Sequence, residues 1–179
     1  MKLRIFKSFA FAVIAFFAVA GSQAMATPPA EGSVVAQGGV FYKMPSGEMV
    51  LRDATLEVPA RGEGKVVLRS GLIEMTAHGF KTVHSHGRAI FYVVFLDPPG
   101  APENTAVVYR GSYLRGSNAA NFWGDVFIQT FSTSAELSAL TKNSGVDVLV
   151  SDLESSNDDG KDWKHGGGFW FNTKIGEAN

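Results

Sequence analysis

The sequence predicts an all-β domain, and three features carry that reading. Residues 90–96 (Ile-Phe-Tyr-Val-Val-Phe-Leu) are apolar without interruption and stand between His86-Gly87 and Asp97-Pro98-Pro99-Gly100. A short run of branched and aromatic side chains that meets two prolines reads as a strand covered on both faces. Most other segments alternate apolar and polar residues, the period of a strand with one wet face. Turn-forming Gly, Pro, Asn and Asp separate these segments at hairpin distances. Roughly eight to ten short strands and one helix favour a single β-sandwich, with a closed meandering β-barrel as the alternative.

The N-terminus has a separate character. Lys2, Arg4 and Lys7 precede an apolar run from Phe9 to Ala20, and Ala24-Met25-Ala26 follows as a small-x-small cleavage site. That is the three-part pattern of a secretory signal peptide over residues 1–26, with the mature chain starting at Thr27. The apolar core is shorter than a bilayer-spanning helix needs, so stable membrane insertion after cleavage is not expected. Removing 26 of the 179 residues leaves 153, enough for one domain over 27–179. The removed segment takes three of the 16 Lys and Arg and none of the 17 Asp and Glu, leaving 13 against 17, a net charge of −4. That balance gives no electrostatic reason to expect nucleic acid as a partner. The chain has no Cys, which excludes disulfides, thiolate metal ligands and a thiol nucleophile. A periplasmic or secreted location follows from the leader.

Taken in order, residues 27–32, with Pro28-Pro29, form a flexible lead-in. Residues 34–44 read as a strand weakened at Gly38-Gly39, and Pro45-Ser46-Gly47-Glu48 as a tight turn. Ala54, Leu56 and Val58 alternate with Asp53, Thr55 and Glu57, a second strand; residues 65–69 give a third. In 72–78, Ile73, Met75 and Ala77 share one face while Glu74, Thr76 and His78 share the other. His78-Gly79 and His86-Gly87 both read as hairpin turns, with a short strand between them. Residues 105–114 alternate again, with Val107, Tyr109 and Tyr113 inward and Gly111 interrupting the row. Residues 122–131 are apolar on both parities and read as a second interior strand. A helix is expected over 134–142: Thr133 and Glu136 have capping-box spacing, and Leu137 and Leu140 share a face. Val146, Val148 and Val150 read as a strand, 154–167 as a polar loop, and Phe169, Phe171 and Ile175 as the inner face of a closing strand.

Three groups of residues could carry chemistry. His84 and His86 are two apart, which on an extended strand places both imidazoles on one side, where they could hold a divalent metal. His78 and Glu74, on the preceding strand, could complete that site. The competing reading makes His78 and His86 turn residues before glycine, since His tolerates positive φ. An acidic stretch holding Asp152, Glu154, Asn157, Asp158, Asp159 and Asp162 supplies oxygen ligands suited to calcium, although its spacing fails the EF-hand register. Trp170 falls opposite Phe169 and Phe171, so on a one-sided strand it faces solvent with Trp163 nearby in sequence, and exposed rings on a sheet can stack on sugars or on a protein.

Catalytic signatures are absent. There is no Gly-x-Ser-x-Gly elbow, no His-Glu-x-x-His and no Gly-Lys-Ser/Thr phosphate loop. The reading that results is an exported, non-catalytic β-domain that binds a protein partner or a small ligand through Trp163 and Trp170, without a resident cofactor. One alternative is a metal-binding protein or metal-dependent enzyme using His78, His84 and His86. The other is a barrel carrying an apolar small molecule.

Overall fold

The computed structural model describes residues 33–43, 48–59, 65–71, 73–85, 88–99, 101–115, 119–142, 146–156 and 162–174. The expected leader 1–26, the lead-in to residue 32, His86 and residues 157–161 of the acidic stretch lie outside them. Among the described residues nine strands and two helices follow one another as β1 (Ser33–Lys43), β2 (Met49–Pro59), β3 (Val67–Ser70), β4 (Ile73–Thr76), β5 (Gly79–Ser85), β6 (Arg88–Leu96), β7 (Thr105–Arg115), β8 (Ala119–Thr130), α1 (Ser134–Thr141), α2 (Asp147–Ser155) and β9 (Lys164–Lys174). The all-β class is as the sequence indicates. The strands form one antiparallel sheet in the order β4-β3-β2-β1-β9-β8-β7-β6-β5, curled into a half-barrel. The layering therefore comes from the curl of a single meandering sheet and a pair of helices laid on its outside, not from two facing sheets.

The curl has a filled inside. Val40, Leu56, Leu68, Phe91, Val93, Phe95, Tyr109, Val126, Phe169 and Phe171 all point into it and are buried. Aromatic rings run through this interior: Tyr109 stacks on Phe169 with centroids 5.2 Å apart, and Phe91 meets Phe169 at 5.7 Å and Phe122 at 5.4 Å, edge to face. Phe91 and Phe169 approach across two intervening strands because their row is completed by Gly111 and Gly124, which are register partners. A Cβ at Gly111 would meet the Phe169 ring and the Trp123 carbonyl. The pause that Gly111 makes in the inward row is thus the space two rings occupy.

The outside of the sheet is divided. Over β6 and β7, Tyr92, Val94, Ala106 and Val108 are buried beneath Leu137 of α1, Val146 at the N-cap of α2, and Leu149, Val150 and Leu153 of α2. This is why residues 90–96 carry no polar alternation: the inner rings cover one face and the helices the other. The helix expected over 134–142 forms, with the Thr133 hydroxyl accepting from the Glu136 amide at 3.2 Å. The Glu136 carboxylate accepts in turn from the Ser132 amide.

Two sequence expectations are corrected here. The strand read from Val146, Val148 and Val150 is the helix α2. Val146, Leu149, Val150 and Leu153 are spaced 0, 3, 4 and 7, a helical stripe that buries against the sheet, and Val148 points outward. The hairpin read at His78-Gly79 is not a reversal. Because every neighbouring pair is antiparallel, β4 and β5 run in the same direction, and Ala77 and His78 simply link them. Met75, Ala77 and Phe80 all pack on the inner core, so His78 and Gly79 are consecutive residues on the outside, a β-bulge that resets the alternation. Gly79 sits against Val146, whose Cγ1 would lie 2.7 Å from a Cβ placed there.

Candidate functional site

The half of the outer surface left bare by the helices carries an ordered grid. Along β9 the residues on this side are Gly168, Trp170 and Asn172, the complement of the inward Phe169 and Phe171. Register then fixes three rows. Asp53, Gly39, Trp170, Trp123 and Ser112 lie side by side across β2, β1, β9, β8 and β7. On one side of them run Thr55, Gln37, Asn172, Asn121 and Leu114, and on the other Leu51, Phe41, Gly168, Asp125 and Arg110.

Five large apolar side chains stand exposed in this grid: Leu51, Phe41, Trp170, Trp123 and Leu114. Trp170 is 51% accessible and its register partner Trp123 is 40%. Phe41 pairs with Gly168, which places it diagonal to Trp170, and Leu51 pairs with Phe41. Trp123, Trp170, Phe41 and Leu51 thus form a track stepping over four strands, about 14 Å across at the usual strand spacing. Gly168 and Ser112 add little bulk beside it. Leu51 leans over Gly39, its Cδ1 2.7 Å from where a Cβ would stand.

Polar groups border the track on both sides. The Asn172 side-chain amide donates to the Asn121 side-chain carbonyl, fixing the two across β8 and β9. One outward position beyond Trp123 in the other direction, Asp125 Oδ1 lies 2.9 Å from Nε2 of His165, which sits further along β9 opposite Phe127; both side chains are half-exposed. Next to it Arg110 holds Glu154 of α2 at 2.5 Å, tying the helix layer to the edge of the bare face. Burial pushes the nearby Tyr92 hydroxyl above its ordinary pKa, against the pull of Arg110.

The residues singled out from the sequence fare differently. Trp170 faces solvent, as its parity indicates. Trp163 does not join it: only 4% accessible, it is buried with the α2 side chains, and its indole N–H donates to Asp152 Oδ2 at 2.8 Å. That bond also takes Asp152 out of the acidic stretch as a loose ligand. Trp123, read as interior because residues 122–131 are apolar on both parities, is the true neighbour of Trp170. The helices cover β8 only from about Phe127 onward, so the outward position at 123 stays open.

His78 and His84 are not brought together. The bulge at His78-Gly79 puts His78 on the outside, whereas His84 continues the inward parity of Phe80 and pairs with Ala89 near the end of the sheet. Six residues of strand, roughly 20 Å, separate them. Glu74 is held by Arg69 at 2.8 Å. His86 lies outside the described residues. Among the described residues no three His, Cys, Asp or Glu side chains gather as a metal site requires, and no helix is long and apolar enough to cross a membrane. His165 went unremarked in the sequence because nothing near it in the chain marks it. Its partner Asp125 is 40 residues away and is reached only through the β8–β9 register. Compared with known proteins, the chain matches no family model, no curated protein and no solved structure.

Proposed function

We propose that this is an exported, non-catalytic domain that acts by binding, and that its recognition surface is the bare outer face bearing Trp123, Trp170, Phe41 and Leu51. One observation carries the reading: large apolar side chains are buried on both sides of the sheet wherever α1 and α2 lie, yet stand exposed in adjacent registers where they do not. Contiguous exposed apolar surface of this kind marks interaction sites in folded proteins. Its position on paired strands, not on loops, gives it a rigid geometry before any ligand arrives.

The test compares the mature chain with a Trp123→Ser/Trp170→Ser double variant. Both residues are half-exposed, so the variant is expected to keep the wild-type circular dichroism spectrum. Each protein is immobilised and challenged with an envelope extract of the host and with defined panels of glycans and polypeptides. Material retained by the wild type and by His84→Ala, and lost from the double variant, supports the binding face. Equal retention by all three proteins overturns it.

A further inference from the structure

The polar borders of the track narrow the class of ligand, on the premise that this face is the binding site. An apolar protein surface pressed over Trp123 and Trp170 would also cover the Asn121–Asn172 amide pair on one side and the Asp125 carboxylate on the other, since each lies a single outward position along the same strands. Covering a carboxylate and two amides without supplying partners is costly. A ligand suited to this face presents flat apolar patches to the rings and hydroxyls at its edges. Pyranose rings with equatorial substituents have that shape: C–H groups on the two faces and hydroxyls around the rim.

We infer that the face binds an extended, β-linked oligosaccharide, seated along Trp123, Trp170 and Phe41, with its rim hydroxyls bonded by Asn121, Asn172 and Asp125. Three features agree. Each indole keeps about half of its surface accessible, enough apolar area for a sugar ring to stack on. Gly168 and Ser112 add little bulk beside the rings, which suits a chain lying across the strands and not a side chain entering a pocket. The bond from Asn172 to Asn121 uses one amide hydrogen and one carbonyl, leaving each side chain with both donor and acceptor capacity for hydroxyls, groups that do both. The length of the track favours an oligosaccharide over a single sugar.

The experiment is a titration of the mature chain with β-1,4-linked hexasaccharides of glucose and of N-acetylglucosamine, followed by calorimetry and tryptophan fluorescence. Binding of either sugar with an indole signal is expected, weakened about tenfold by Trp170→Ala or Trp123→Ala. Asn121→Ala is expected to weaken it as well, and His84→Ala to leave it unchanged. Absence of binding to both sugars at millimolar concentration overturns the inference, as does binding that survives both tryptophan substitutions. Sedimentation of the same samples separates this failure from failure of the underlying face. A dimer that Trp170→Ala dissociates would assign the face to a second copy of the chain and reject the sugar.

Discussion

Trp163 and Trp170 are seven positions apart, and they end on opposite sides of the packing problem. Trp170 owes its exposure to strand parity, which was legible because Phe169 and Phe171 flank it. Trp163 owes its burial to α2, and no local pattern in the sequence announces a helix above it. Trp123 illustrates the limit from the other side. An apolar run on both parities says that each face is covered somewhere, not that each position is. Parity also sets the environment of two tyrosines inside the curl. Tyr109 is fully enclosed and its hydroxyl is shared with that of Tyr42; burial raises both above the ordinary value of 10.0, Tyr109 strongly. A raised pKa means that the folded chain keeps its protons when the unfolded chain begins to lose them. Stability from this pair is then complete below about pH 10 and falls as pH climbs further, with a limiting slope of about 1.4 kcal/mol per pH unit for each tyrosine. Urea denaturation between pH 9 and 11 should show this decline, and Tyr42→Phe/Tyr109→Phe should flatten it. An unchanged alkaline slope in the double variant would mean that neither hydroxyl is buried as described.

At the level of elements, α1 and α2 show which signals survive without a structure. The first was readable because its start is chemical: Thr133 and Glu136 satisfy backbone donors that any helix must leave open. The second lacks such a mark. Val146 heads it with no side-chain capping bond, and Val-x-Val-x-Val imitates a strand over five residues. The longer window decides the matter, since Val146, Leu149, Val150 and Leu153 keep helical spacing over eight residues and meet the outer surface of β6 and β7. The helical reading makes a sharp distinction between adjacent residues. Leu149 is completely buried while Val148 is exposed on the far side. Leu149→Ala is expected to cost about 2–4 kcal/mol in urea denaturation and Val148→Ala less than about 0.5 kcal/mol. On a strand, Val148 would share its face with Val146 and Val150, and losses of similar size at 148 and 150 would contradict the helix.

For the whole molecule, the decisive joint is the step from β4 to β5. A sheet of nine antiparallel strands has two edges, and here the edge strands are consecutive in the chain and parallel in direction. The Ala77 amide donates to the Val66 carbonyl beside β3, and the next amide, of His78, donates to Val94 of β6, both at 2.8 Å. The chain thus leaves one end of the sheet and joins the other between two successive residues, Ala77 and His78. His78 looks like a turn residue in the sequence because Gly79 follows it, but the glycine serves close contact with Val146 and the bulge hands the strand from one neighbour to the other. The arrangement can be read in amide exchange. A histidine with an exposed side chain ahead of a glycine would ordinarily exchange its amide quickly if it sat in a hairpin turn. Here the Ala77 and His78 amides extend the β3–β4 and β5–β6 ladders, so their exchange should require those ladders to open and should approach the protection of the Val93 and Val94 amides in the centre of β6. Widening the Gly79 contact with Gly79→Val, which forces a side chain against α2, should release those two amides before any in β8 or β9. Fast exchange at His78 in the unaltered chain would show that its amide is not bonded to Val94 and that the β5–β6 ladder does not reach the link from β4.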